Sequence, residues 1–175
     1  MARLLALEAR AHASQGDAGR STALLSQATH NLDVTTTHDL SPWVSRFDEG
    51  SLANDAARCF LALGRLRAAQ RQAERILTLR PPTRGRSRAF GQLVLANILI
   101  AQRRPDEACA VVDEVLAALS SLSSYLVSAQ LTETGKRLTP FVDSHIVASC
   151  LERLREVAWT REPFHQWLAT EEPTS

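Results

Sequence analysis

Apolar residues recur along this chain with a period near 3.6, in segments dominated by Ala, Leu, Arg, Glu and Gln. That pattern predicts helix almost throughout. Proline and glycine are scarce and stand at the segment ends. The spacing predicts a first helix over about Arg3 to Gln15, turning at Gly16-Asp17, and a second over about Ala18 to Leu32. A third runs from about Asp48 to Leu63 and turns at Gly64. A fourth, about Leu66 to Leu79, stops at Pro81-Pro82, since proline removes a backbone donor and clashes with the preceding turn. A fifth covers about Arg84 to Gln102. Pro105 suits the first position of a sixth that ends near Leu119. A seventh lies near Tyr125 to Leu138 and an eighth spans about Asp143 to Trp159. The remainder, 161–175, reads as one short helix and a frayed tail. No segment reads as a strand bounded by hairpin turns. The expected fold is all-α, seven to nine helices in antiparallel hairpins at about 3–32, 48–79, 84–119 and 123–159.

An internal repeat sharpens this expectation. The turns "ASQGDAGRS", "LALGRLRAA" and "IAQRRPDEA" align with Gly16, Gly64 and Arg103 at one position. Seven residues earlier stand Ala9, Ala57 and Ala96, and five residues later Ser21, Ala69 and Ala108. Small residues at both points let the two helices of a pair approach closely. Pro81 follows Gly64 by seventeen residues.

Small residue, turn, small residue and closing proline together resemble the tetratricopeptide repeat, over about Arg3 to Leu119. The turns are 48 and 39 residues apart, against about 34 in that family, so the repeats are degenerate and their connections long. A fourth pair lacks the signature, as a capping repeat does. "WVSRFDEGSLANDAARCFLALG", "RSRAFGQLVLANILIAQ", "DEACAVVDEVLAAL" and "CLERLREV" are similar to the C-terminal region of actinobacterial regulators that carry an N-terminal Xre-type helix-turn-helix. No counterpart of that helix-turn-helix is expected here, so the chain is either a regulatory half or a stand-alone relative. The resemblance implies an α-solenoid that acts in a transcriptional regulator through protein–protein, peptide or small-effector binding, and as a homodimer.

Composition adds exclusions. The chain is 45% hydrophobic and 22% charged, with a net charge of +1, so the basic balance of a nucleic-acid-binding domain is missing. Cys59, Cys109 and Cys150 follow no metal or disulfide spacing and read as small core residues of a reducing cytoplasm. Glu8 and Arg10 interrupt the N-terminal apolar run too early for a signal peptide. The most apolar stretch, Leu93 to Ala101, is too short to span a bilayer.

No catalytic constellation emerges. "GRSRAFG" lacks the spacing of a nucleophile elbow and "TGKRL" lacks the glycine and hydroxyl of a phosphate loop. Neither an enzyme, a metal site nor a cofactor is expected. The binding candidates fall into three sets. By the repeat register, the first helix of each pair lines an inner groove. It would present Arg3, Ala6 and Arg10, then Ser51, Asn54, Arg58 and Leu61, then Phe90, Leu93, Asn97 and Ile100. The groove candidates drawn from these are Arg10, Asn54, Arg58, Phe90 and Asn97. Asparagine amides can hold an extended peptide backbone and arginine suits a carboxylate, although Asn97 could equally bond a neighbouring helix. Arg80, Arg84, Arg86 and Arg88 form a basic cluster that could solvate a corner or hold an anion. Trp159, Phe164 and Trp167 are dimer-contact candidates. In "WVSRFDEG", Asp48 and Glu49 suit a helix start, and Trp43 and Phe47 are placed to cover the seam between the first two hairpins or to wall a groove. The leading expectation is a recognition domain that binds another protein, a peptide or a small effector. The rivals are a ligand-free adaptor or dimerisation module and, less favoured, direct nucleic-acid contact through Arg80–Arg88.

Overall fold

Three turns of this chain share one unusual backbone conformation. Gly16, Gly64 and Arg103 have φ of 80°, 69° and 62°, in the left-handed region that lets a helix end and its partner begin at once. Each turn closes alike: Asp17 N–H donates to His12 O at 3.0 Å, Arg65 N–H to Phe60 O at 2.8 Å and Arg104 N–H to Leu99 O at 2.9 Å. The computed structural model describes residues 1–34, 47–118 and 124–169, with side chains throughout these except at 33–34 and 158–169.

These turns build α1 (Ala2–Ser14) with α2 (Ala18–Val34), α3 (Glu49–Ala62) with α4 (Leu66–Leu79), and α5 (Gly85–Ala101) with α6 (Pro105–Ala118). A fourth pair, α7 (Tyr125–Leu138) and α8 (His145–Ala169), is joined through a 3-10 turn at Thr139–Phe141. The small positions seal the pairs. Ala9, Ala57 and Ala96 have no exposed surface, nor do Ser21, Ala69 and Ala108. Gly91 serves the same purpose between α4 and α5, where a Cβ would come within 2.6 Å of Ile76 Cγ2. The fold is thus an all-α array of eight helices among the described residues.

The first pair meets the second mainly through α1 on α3, the second meets the third mainly through α4 on α5 with a smaller α3–α5 contact, and the third meets the fourth through α5 on α7 and α6 on α8. The core is divided accordingly. One cluster, with Ala6, Leu24, Leu25 and Leu52, joins the first pair to α3. A second, with Ala57, Ile76, Val94 and Ile98, joins α3, α4 and α5. The largest, with Leu93, Val112, Val127, Leu138 and Cys150, joins the last two pairs.

Two expectations need correction. A separate short helix after Trp159 does not form: α8 runs without a break to Ala169. Pro163 is followed by helix formers and no glycine. Leu93 and Ile100 do not face a groove. Both belong to the core cluster that α5 forms with α6, α7 and α8, leaving Leu93 with no exposed surface and Ile100 with 7%.

Candidate functional site

The open side of α3 carries Ser51, Asn54, Arg58 and Leu61, all half-buried, at the spacing of one helical face. Arg10 reaches this face from α1 and its Nη1 lies 3.4 Å from Asp55 Oδ1. Asp55 is 8% exposed. Burial pushes its carboxyl above the ordinary carboxylate range, and Arg10 and Arg58 partly oppose this. Arg58 Nη2 makes a long 3.5 Å hydrogen bond to Gln130 Oε1 of α7, across the line of α5. Among the described residues no carboxylate lies within ion-pair distance of Arg58. Burial lowers its pKa, and the charges of Arg10 and Arg137 push the same way against Asp55.

The seam continues on α5 and α7. Asn97 Nδ2 donates to Leu93 O at 2.8 Å and to Thr134 Oγ1 at 3.2 Å. The Thr134 hydroxyl donates to Gln130 O at 2.9 Å. The amide of Asn97 therefore serves the array internally. Its carbonyl oxygen, like that of Asn54, is buried without a partner among the described residues. Buried polar atoms are normally satisfied, so two open acceptors on one face are unusual. Of the groove candidates, Arg10, Asn54, Arg58 and Asn97 come to this face. Phe90 is half-buried and packs against the core of the last two pairs. Asp55, Gln130, Thr134 and Arg137 complete the seam and were not nominated from sequence. Asp55 lies three residues before Arg58, a spacing that brings the two onto neighbouring positions of a helix. The α7 residues had no such signal, because the fourth pair carries no repeat register.

The basic cluster is mostly consumed by packing. Arg80 is 8% exposed. Its Nη1 donates to Asp48 Oδ2 at 2.7 Å, and its Nη2 to Asp48 Oδ1 and Ser51 Oγ. Asp48 also caps α3, accepting from Ser51 N–H at 2.9 Å, and the Arg80 hydrogen bond is the main cause holding its carboxyl well below the usual range. Arg84 approaches the same carboxylate at 3.6 Å. Arg88 donates to Leu77 O and Arg80 O, which secures the end of α4. Only Arg84 and Arg86 of the four are exposed.

On the opposite side of α3 a cavity of about 720 Å³ opens between α2 and α4. Leu25, Leu52, Ala53, Ala56 and Phe60 form its apolar part, and Thr22, Ser26 and Thr29 of α2 edge it. Sequence reading missed it. The hydroxyl row at intervals of four and three residues on α2 was its one visible trace. Phe47 is half-buried beside this cavity and packs on the first core cluster, with the Arg3 guanidinium 5.7 Å from its ring centre. Phe47 thus covers the seam between the first two hairpins. Trp43, and the side chains of Trp159, Phe164 and Trp167, lie outside the described residues.

Among the described residues no helix is long and apolar enough to cross a membrane, and no three His, Cys, Asp or Glu side chains gather as metal ligands. Compared with family models, curated proteins and solved structures, the chain matches none.

Proposed function

We propose that this chain is a non-enzymatic recognition domain of tetratricopeptide-like build, the sensing or assembly part of a bacterial transcription regulator. It takes up a peptide, a protein or a small effector on the face formed by α1, α3, α5 and α7. One observation carries the reading. Arg10, Asn54, Arg58 and Asn97 share a polar seam in which a half-buried guanidinium and two carbonyl oxygens remain under-used. Such groups are costly in a purely structural interior and suit a surface awaiting a ligand. Occupancy would be passed on through the geometry of a homodimer.

Native mass spectrometry of the purified chain tests this directly, since it reports subunit number and retained ligand together. The expected result is a reproducible adduct that disappears in Arg58→Ala and in Asn97→Ala. A bare mass for the wild type, with unchanged partner capture by both variants, overturns the reading. A ligand-free dimerisation module is the second reading. It is favoured by the exposure of Tyr125, Leu126, Val142 and Ile146 on the last hairpin, since apolar patches mark interfaces. Under it Trp167→Ala converts a dimer to a monomer, and an unchanged oligomer excludes that contact.

A further inference from the structure

The arginines themselves provide an internal standard. Five of those whose side chains are described are drawn out of full solvent exposure: Arg58, Arg80, Arg88, Arg104 and Arg153. Four of them make at least two short hydrogen bonds each. Arg80 holds both oxygens of Asp48. Arg153 holds both oxygens of Asp113, at 3.0 and 2.8 Å. Arg104 holds both oxygens of Glu107, and Arg88 holds two carbonyls. Arg58 alone has a single hydrogen bond, at 3.5 Å and to a neutral amide. Asp55 balances it only in part: its carboxylate contacts Arg10 at 3.4 Å and acts on Arg58 without ion-pair contact.

A guanidinium offers five donors in a planar fork that matches an oxyanion. Removing it from water without a counter-charge is unfavourable. Arg10 lies on one side of this position and Arg137 on the other, and Arg137 has only a 3.7 Å approach to Glu133. The vacant donors therefore face a site whose nearby charges are three arginines against Asp55 and Glu133. The side-chain amide of Gln130 can add a further donor, and the open carbonyl of Asn54, one helical turn from Arg58, can accept a hydroxyl.

We propose that Arg58, supported by Arg10, Arg137 and Gln130, binds a small oxyanion, a phosphate- or carboxylate-bearing molecule, and that the bound anion fastens the first, second and fourth hairpins together. This rests on the recognition reading above and gives it a ligand class. The clasp follows from where the groups originate: α1 and α3 share one core cluster while α7 belongs to another, and the anion would be the common partner of all three.

The test is thermal unfolding of the full chain titrated with sodium phosphate and, separately, with sodium malate, at constant ionic strength set by chloride. A saturable rise in midpoint with phosphate alone assigns a phosphate-bearing ligand. A rise with malate alone assigns a carboxylate, and a rise with both assigns a general oxyanion site. Arg58→Gln must weaken the response by about tenfold or more, the size of one charge-assisted contact, while Arg86→Ala leaves it unchanged. If R58Q does not fold, Arg137→Gln at an exposed position must weaken it on the order of threefold, as for a nearby charge without direct contact. A midpoint that follows chloride equally, or a response that these variants leave intact, overturns the proposal. An adduct by native mass spectrometry combined with no oxyanion response would remove the clasp and leave the recognition reading standing.

Discussion

At the start of α3, Asp48 receives the Arg80 guanidinium through both of its oxygens while capping the helix. Two turns further on, Asp55 receives Arg10 through one 3.4 Å contact, and Arg58 beside it receives no carboxylate. The ingredients are the same and the helix is the same. In the first arrangement both carboxylate oxygens and both terminal nitrogens of the guanidinium are engaged, joining the start of α3 to the end of α4. In the second, burial is incurred with only two long contacts, Arg10 to Asp55 and Arg58 to Gln130. The comparison separates charge that holds a fold together from charge that the fold keeps open, and the two differ in how well partners are satisfied more than in how deeply they lie. A buried, well-paired arginine is a structural element. A buried, poorly paired one is a candidate for function.

The largest expected difference is in stability. Arg80→Ala should destabilise the chain by about 1–3 kcal/mol in urea unfolding, because it removes a geometrically good, partly buried pair and leaves the half-buried Asp48 carboxylate with only Ser51 and Arg84. Arg80→Lys should recover little, since an ammonium cannot span both oxygens. A loss under about 0.5 kcal/mol, the level of an exposed pair, would make the corner no different from a surface salt bridge and dissolve the contrast.

The pH dependence of the two aspartates should have opposite sign. Asp48 is held below its ordinary pKa, chiefly by Arg80, so its contribution to stability is present above the unfolded value near about 4 and is lost as pH falls toward the folded value. Asp55 is held above it, chiefly by burial. Its contribution is complete below the unfolded value and is lost as pH rises through the folded one. Asp48→Asn retains a capping side chain and should therefore be destabilising at pH 7, with the penalty starting to shrink only as pH falls below the unfolded value near about 4 and still largely present at pH 3. Asp55→Asn should be neutral or stabilising at pH 7, and this gain should vanish at pH 3. Melting curves of both variants across that range decide it, and parallel profiles would refute the distinction.

A smaller effect, of the reverse sign to Arg80→Ala, is expected at Arg58. Arg58→Met keeps the aliphatic stem and removes a guanidinium that lacks an ion-pair contact among the described residues. The variant should be at least as stable as the wild type, by up to about 1 kcal/mol, while losing whatever the seam binds. Stability gained on removing a polar group is the mark of a site maintained for function. A clear loss of stability would instead make Arg58 structural.

Much of the architecture was legible because it is local. The three turns align in sequence and adopt one conformation, since a left-handed residue and small flanking positions are demands that neighbouring residues meet. The Asp48 cap was readable for the same reason. What escaped is long-range. Arg80 lies 32 residues from Asp48 and Arg58 lies 72 from Gln130, and no periodicity announces such pairs. The basic cluster illustrates this: four nearby arginines look alike on paper, yet two are drawn into packing and two stay outside. Leu93 and Ile100 were misplaced because the repeat register describes a face of α5 but not the neighbouring helices whose core residues bury it. On the groove face, types and positions could be nominated, whereas the open valences of Arg58, Asn54 and Asn97 appear only when the neighbours are in place.

The finest test of the comparison is at Gly50. A Cβ there would stand 2.7 Å from the Arg80 Cζ, so the guanidinium must shift away from Asp48. Glycine to alanine in a helix is otherwise favourable by roughly 0.5–1 kcal/mol. In the wild type, Gly50→Ala should therefore be destabilising on balance, by less than Arg80→Ala, because the far end of a flexible side chain can partly yield. In an Arg80→Ala background the obstacle is gone, and the same substitution should become stabilising by about 0.5 kcal/mol. That change of sign assigns the effect to the Arg80–Asp48 contact and not to the helix itself. The equivalent cycle at the second arrangement, Asn54→Ala with and without Arg58→Met, should show little coupling, since the buried Asn54 Oδ1 accepts nothing from Arg58. Equal coupling in both cycles would mean that the seam is as fully committed to the fold as the corner, and the reading of Arg58 as an open donor would fall with it.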